Sequence, residues 1–525
     1  MTLLPASSHR AVSDSRATTM HRLRTERFDV LVVGGGIIGA GIAALAAELG
    51  LNVALVDRRD FASGASSASS KLIHGGLRYL RMGDFRLIRE ALHESETLVA
   101  SVAPHLVHRL RFLLPVYEGA PYGRGAVRTA LWLYRTLSGS EAANTLLPSD
   151  IAAALVPSLR LEGLHGAGVY SDAQTNDARL CIANLRAAAD NGAAIVNYTE
   201  VVSIDSGRRG QAARVEVIDR VAGEHLDVDA RTVVNAAGPW IDHVRRLDDS
   251  SAGTSVLLSK GAHLVLVAPP GWHAAVTIPI DRSRVSFAIP WEGALLLGTT
   301  DEAFDGDPDN LDVTEADERQ ILDEAGRALE SEILRHDRIL GRFAGLRVLP
   351  VATGRTAAAR RETMIVRGRG GMITVAGGKL TTYRRIAASA LDALRPELGL
   401  RTIDTTPTPL PGAVNPKFQT ATILCDHPEL DPNIANVLSR TYGSLAGEVL
   451  SLAKLDPALM NVVAPGANVV AAQILHARDH EWAETAEDVL RRRTTLSLRG
   501  FNSDEIYRRV EALLLRDVAT HPLEP

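Results

Sequence analysis

From Ser66 to Leu80 the chain reads SSASSKLIHGGLRYL: four serines, a lysine, a histidine, a glycine pair, an arginine and a tyrosine, with no acidic residue among them. Hydroxyls and cations gathered in this way suit anions, because hydroxyls donate hydrogen bonds and arginine's planar fork matches phosphate oxygens. Just upstream, Phe28 to Asp57 reads FDVLVVGGGIIGAGIAALAAELGLNVALVD. Gly34, Gly36 and Gly39 have the G-x-G-x-x-G spacing, and Asp57 closes the unit. Gly34 permits a tight turn, Gly36 lets the backbone approach a pyrophosphate, and Gly39 lets helix and strand pack closely. The helix N-terminus then attracts phosphates while Asp57 accepts from ribose hydroxyls. A carboxylate there repels a 2′-phosphate and disfavours NADP. The fingerprint leaves NAD and FAD both open.

Two later stations narrow the choice. VVNAAGPW, Val233 to Trp240, is an apolar run that ends in small residues and Gly238. GGKLTTYRR, Gly377 to Arg385, places the pair Gly377 and Gly378 before a predicted helix that opens at Leu380, Thr381 and Thr382. A helix N-terminus there can stabilise negative charge on the pyrimidine end of a reduced isoalloxazine. Together, behind the fingerprint, they favour a cofactor threaded through much of the chain, which is flavin-like. The chain has five lysines, Lys71, Lys260, Lys379, Lys417 and Lys454, among many arginines. The first three fall in or beside cofactor or substrate motifs, where a compact ammonium suits fit or chemistry.

The elements that must position these residues follow from pattern. Val30 to Val33 reads as a buried parallel strand, the alanine-rich stretch after Gly39 as a helix, and Asn52 to Val56 as a second strand. At 525 residues, 46% hydrophobic and 23% charged, the chain is globular with two or three domains. A net charge of −5 argues against nucleic acid as a partner. No apolar run spans a bilayer, and Met1 to Arg27 lacks a signal-peptide core and reads as a disordered extension. Cys181 and Cys425 are too few and too far apart for a disulfide framework, a zinc site or an iron–sulfur cluster, which fits a reducing, cytoplasmic compartment. No metal site is expected. Asp305 to Glu318 imitates a calcium loop but has Asn310 at its sixth position and Ala316 at its twelfth, so the bidentate ligand is missing. In Tyr122 to Leu137, Arg124, Arg128 and Arg135 fall within a helical stripe roughly 40° wide, the pattern of a helix that lies on a membrane surface or has a solvated face.

These runs, together with DARL (Asp177 to Leu180), KGAHLVL (Lys260 to Leu266), GTTD (Gly298 to Asp301) and a tail segment from His476 to Leu498, resemble FAD-dependent, quinone-linked glycerol-3-phosphate dehydrogenases. The resemblance is collinear from about Phe28 to about Leu400. It implies an α/β architecture: a Rossmann-type FAD-binding domain of the glutathione-reductase and amino-acid-oxidase kind, an inserted antiparallel β-sheet substrate domain, and a C-terminal α-helical domain. The expected FAD segments are about 28–105, 165–250 and 340–400, with substrate segments at about 106–164 and 251–339. A linker at 401–416 leads to the helical domain at 417–525.

The same resemblance implies oxidation of sn-glycerol 3-phosphate to dihydroxyacetone phosphate, with hydride passing from C2 to flavin N5 and electrons to a membrane quinone. It also implies a homodimer held peripherally on the inner face of the cell membrane. Arg78, Tyr79, Arg347 and Arg361 match positions that bind the substrate phosphate, and Thr299 and Thr300 can bond substrate oxygens. His263 is the candidate proton acceptor; with Arg347 and Lys379 it makes the expected catalytic set. Ser66, Ser67, Ser69, Ser70, Lys71, His74 and Gly75 are expected around the flavin. Two departures stand out: the family's Asp-His after Arg361 is Glu362-Thr363, and its Gly-Val-Arg-Pro-Leu is Gly345-Leu-Arg-Val-Leu. A glycerol-3-phosphate oxidase that uses oxygen, and a flavin-binding scaffold without turnover, remain the alternatives.

Overall fold

The structure, a computed structural model, describes residues 16–75, 84–138, 145–205, 213–281, 284–351 and 363–516. Its first sheet is built on the strand Arg27–Val33, which pairs in parallel with Val53–Val56 on one side and with Glu224–Asn235 on the other. Val30 to Val33 and Val53 to Val56 are buried throughout, as a parallel strand covered on both faces must be. Ala194–Val196 extends this sheet past Val53–Val56, and Ile373–Gly377 extends it past Glu224–Asn235. The helix Ile37–Glu48 packs against the helices Asp177–Asp190 and Tyr383–Leu398. Its glycines and alanines allow the close approach.

The second sheet carries ten strands among the described residues. The long strand Val256–Val267 pairs antiparallel with Ala294–Gly298 and with Ile339–Pro350. Its pairings are antiparallel as expected, with one parallel exception among the described residues, Ala275–Pro279 with Val107–Tyr117. It also reaches beyond the expected segments. Leu72–Ile73 and Leu164–Thr175 pair within it, as does Ile339–Pro350, so the strand that bears Arg347 stands in this sheet. Pairing between strands far apart in the chain leaves no mark in local composition, which is why these boundaries shifted.

A third core is helical. Pro416–Asp426, Pro432–Tyr442, Ala446–Leu455, Ala471–Glu481 and Asp504–Leu514 bury Leu438, Val449, Ile474, Leu475 and Val510 among themselves. Charged groups tie this core to the first sheet. Arg179 forms a two-pronged pair with Glu481 at 2.5 and 2.6 Å, and Arg493 reaches Asp60 at 2.7 and 2.8 Å.

The N-terminal expectation needs correction. Residues 1–15 lie outside the described residues, but Arg16–Thr25 is a helix with Met20 and Leu23 buried, and Arg27 opens the first strand. Arg16 pairs with Asp219 at 2.5 Å, which ties this helix to the strand Ala213–Asp219. A segment with few apolar residues is ordered here by tertiary contacts that composition does not reveal.

Candidate active site

A cleft of about 910 Å³ runs between the ends of the first sheet and a face of the second. Its nucleotide side is made mostly of backbone. Gly34 has φ +110°, and a Cβ there would lie 2.6 Å from Ala236 O; a Cβ on Gly39 would lie 1.9 Å from Gly34 O. The fingerprint glycines therefore let two strands and a helix converge at one turn. Gly36 precedes the helix Ile37–Glu48, and the amide of Ile37 donates to Ser66 Oγ at 2.9 Å. Asp57 lies just beyond the strand Val53–Val56. It accepts from the amides of Gly35 at 2.7 Å and Arg59 at 2.9 Å. The low-dielectric walls push its carboxyl up to about 6, against the pull of those two amides.

The serine run is organised by a residue that the sequence reading did not single out. Asp177, buried at the start of the helix Asp177–Asp190, accepts from Ser69 N–H at 3.1 Å, Ser69 Oγ–H at 2.7 Å and Lys71 Nζ at 2.7 Å. Lys71 Nζ also donates to Ser67 O at 2.6 Å and lies 5.0 Å from the Phe343 ring centroid. Burial pulls the Lys71 ammonium's pKa down, and Asp177 opposes that shift. Ser66, Ser69, Ser70 and His74 line the cleft, whereas Ser67 and Lys71 stand behind its wall. Lys71 thus holds the loop's shape from behind the wall. Gly75 is also tied into the wall. Its amide donates to the buried Asp172 carboxylate at 3.2 Å, and a Cβ would strike Leu92 and Tyr134.

The substrate side is made of side chains. His263, 3% exposed, sits in Val256–Val267 opposite Phe343 and Gly298. Its ring stacks on Phe343 with centroids 4.8 Å apart and planes 12° apart, and its Nε2 meets Ser70 Oγ at 2.9 Å. Nδ1 is buried without a partner among the described residues. Burial first, then the charges of Arg347 and Lys71, push the imidazole down to about 3, so it is neutral at pH 7. Arg347 Nη2 donates to Thr299 Oγ1 and Thr300 O at 3.0 Å each, and Nη1 meets Asp301 at 3.0 Å. The guanidinium lies over Gly261, where a Cβ would come within 2.5 Å of Nη2.

The structure therefore brings His263, Arg347, Lys379, Gly238, Gly377, Gly378, Leu380 and Thr381 to one cleft with the fingerprint and the serines. Thr381 fastens the two stations: its Oγ1 accepts from His74 N–H at 3.1 Å. Thr300 stands behind the cleft wall. It is buried, its Oγ1 accepts from Ala262 N–H at 2.9 Å, and it faces Asp317. Thr299 serves Arg347 and is not part of the cleft wall. Lys260 is spent in a buried pair with Asp317 at 2.8 Å, away from the cleft. Arg78, Tyr79 and Arg361 lie outside the described residues. Besides Asp177, the sequence reading missed Trp240, Arg58 and Phe343. Trp240 was quoted in its motif, and Phe343 precedes Gly345 by two residues, but neither has a local signature.

The cleft's groups fit FAD: a glycine turn and helix N-terminus that donate to phosphates, a strand-end carboxylate that accepts from ribose, and a long apolar-walled channel leading to His263. Comparison with known proteins agrees. Residues 29–384 match the family of FAD dependent oxidoreductases, and 403–518 match the C-terminal domain of alpha-glycerophosphate oxidase. Glycerol-3-phosphate dehydrogenase 2 of Mycobacterium tuberculosis is 36% identical over 497 residues, covering 92% of this chain and 83% of that protein. The aerobic glycerol-3-phosphate dehydrogenase of Staphylococcus aureus is 36% identical over 383 residues, covering 72% of this chain and 68% of its own. Among solved structures, the Bacillus halodurans glycerol-3-phosphate dehydrogenase complexed with FAD superposes with a TM-score of 0.73 and 29% identity, covering 95% of this chain and 96% of that one. Glycine oxidase from Geobacillus kaustophilus, at 23% identity and a TM-score of 0.53, shares the fold. With this cleft and these relatives, the chain belongs to the FAD-dependent glycerol-3-phosphate dehydrogenase family.

Proposed function

We propose that the protein oxidises sn-glycerol 3-phosphate to dihydroxyacetone phosphate and passes the electrons to a membrane quinone. The observation that carries this reading is His263: a buried, neutral imidazole with Nε2 held by Ser70 and Nδ1 left without a partner among the described residues, on the same cleft as Arg347 and the fingerprint. FAD, when bound, supplies the hydride acceptor at N5. Gly34, the Ile37 helix N-terminus and Asp57 would hold its diphosphate and ribose, and Gly377 to Thr381 its ring end. His263 accepts the C2 hydroxyl proton as hydride departs. A base that is neutral at working pH serves that step. Arg347, kept in place by Thr299 and Asp301, presents its guanidinium to the substrate phosphate, with Lys379 adding charge from the opposite turn. Arg78, Tyr79 and Arg361 complete the proposed phosphate site.

Membrane contact is proposed at the helix Arg124–Ser138. Val127, Leu131 and Tyr134 are buried there, while Arg124, Arg128, Arg135 and Trp132, the last 64% exposed, face outward. A basic stripe with an aromatic beside it suits an anionic lipid surface. Among the described residues, no helix is long and apolar enough to cross a membrane. The homodimer belongs to the same proposal.

The test is anaerobic addition of glycerol 3-phosphate to the purified flavoprotein. The flavin band is expected to bleach and to recover with a quinone analogue. Recovery in air with stoichiometric peroxide favours the oxidase, and a band that stays oxidised overturns the substrate assignment.

A further inference from the structure

Phe343 has no hydrogen-bonding group, yet three cationic or titratable side chains meet on its ring. His263 stacks against it at 4.8 Å, Lys71 Nζ lies 5.0 Å from its centroid, and Arg491 Cζ lies 5.2 Å away. Arg491 comes from the helical domain, from the turn Val489–Arg493. Its neighbours in sequence are fully committed: Arg492 pairs with Asp60 and Asp488, and Arg493 with Asp60 and the Glu481 carbonyl. Arg491 differs. Its Nη1 is buried without a hydrogen-bond partner among the described residues. Arg491 is half-buried, but a guanidinium nitrogen buried without an acceptor is still costly, and an aromatic face is one of the few surroundings that offset the loss.

We propose that Arg491 is a positioning residue for the reaction: by seating its guanidinium on Phe343, the C-terminal helical domain fixes the ring against which His263 stacks and so sets the imidazole's place in the cleft. The proposal rests on His263 as proton acceptor. It gives the helical domain a part in the chemistry although no residue of that domain lines the cleft. The domain's other anchors secure the same frame. Asp60, held by Arg492 and Arg493, follows Asp57 in the loop at the nucleotide end, so adjacent arginines brace both ends of the cleft. The charged and hydrogen-bonding groups that face His263 are Ser70 and Lys71 from the serine run and Arg347 from the neighbouring strand; Arg491 adds positive potential beyond Phe343. Arg347 and Lys71 both act against protonation of the ring.

The experiment uses the holoenzyme and its Arg491→Met, Arg491→Lys, Phe343→Leu and His263→Gln variants, with the double variant Arg491→Met/Phe343→Leu. Flavin bleaching by glycerol 3-phosphate is followed without oxygen. The His263 imidazole is titrated by NMR in protein labelled at histidine, with its signal assigned from His263→Gln. Arg491→Met is expected to slow bleaching about 10-fold at saturating substrate, as small displacements of a reacting group do, with the half-saturating concentration unchanged. Its His263 signal titrates at higher pH than in the parent. Arg491→Lys keeps the cation and restores most of the rate. Phe343→Leu gives the same slowing, and the double variant is no slower than either single one. If His263→Gln is slow but Arg491→Met bleaches and titrates like the parent, the positioning role is wrong; so it is if the two single effects add. If His263→Gln bleaches at the parent rate, the proton-acceptor reading has failed instead. Should Arg491→Met not fold, Phe343→Leu and Arg491→Lys decide the matter by the same rates and titration.

Discussion

The two sides of the cleft are built from different materials. On the nucleotide side the groups aimed inward are main-chain amides and a helix N-terminus, released by glycines where a Cβ would lie 1.9–2.6 Å from another backbone atom. On the substrate side they are the side chains of His263 and Arg347, each held by groups on other strands or loops. The backbone side tolerates no bulk but depends on few partners. The side-chain side tolerates bulk changes better but depends on a chain of supports that runs through Phe343, Asp177 and Thr299.

That contrast can be broken or sharpened. The largest effect is expected on the backbone side: Gly39→Val drives a side chain into the Gly34 carbonyl, and the purified protein should carry almost no flavin, read from its visible spectrum. If the variant binds FAD normally, the backbone account fails. Next is Lys71→Met, which leaves Asp177 charged and buried without its ammonium. It should cost about 3–5 kcal/mol of unfolding free energy, measured by denaturant titration. A loss below about 1 kcal/mol would mean that the serine run does not need this pair.

An effect of similar size, which appears only on acidification, separates His263 by pH. Its folded pKa, about 3, lies below the unfolded value near 6.5. The unfolded chain thus binds more protons between those values, and this group's contribution to stability falls as pH drops from about 6.5 toward 3. His263→Gln should therefore gain on the parent by roughly 1.4 kcal/mol per pH unit through that window. A constant difference from pH 7 to 4 would show that the imidazole is not desolvated. The smallest effect belongs to the rim. Asp309 accepts from Arg58, from Arg59 at 3.1 Å and from Trp240 Nε1 at 2.7 Å, which closes a half-exposed clasp over the nucleotide end. Asp309→Ala should speed flavin release only a few-fold and make it less salt-dependent, since exposed pairs contribute roughly 0.2–1 kcal/mol. Release unchanged by substitution or salt would leave the clasp without a role.

Much of the nucleotide side was legible in the sequence, because it is local. Gly34, Gly36, Gly39 and Asp57 lie within one strand–helix–strand unit, and turn geometry forces residue type onto position. His263 and Arg347 were legible through resemblance, since a histidine in an apolar strand and an arginine between leucine and valine have no local signature of chemistry. Lys71, Lys260, Gly75, Thr299 and Thr300 were legible as places of interest, but the partners that hold them were not. Which side of a wall a side chain faces, and whether a buried carboxylate such as Asp177, Asp317 or Asp172 claims it first, depends on partners more than 50 residues away for Lys260 and more than 90 for Lys71 and Gly75.

By itself, then, the sequence determined the strand–turn–helix–strand unit at Gly34 to Asp57 and a flavin-like class of cofactor, set by periodicity and by glycine's freedom over short spans, while resemblance supplied the helical domain of the tail. Only the tertiary structure decided that the Arg347 strand joins the second sheet, that residues 16–25 form a packed helix, and that three adjacent arginines of the tail reach back to both ends of the cleft. Those outcomes depend on burying charge and pairing strands across hundreds of residues, where free energy is shared among partners that no local window contains.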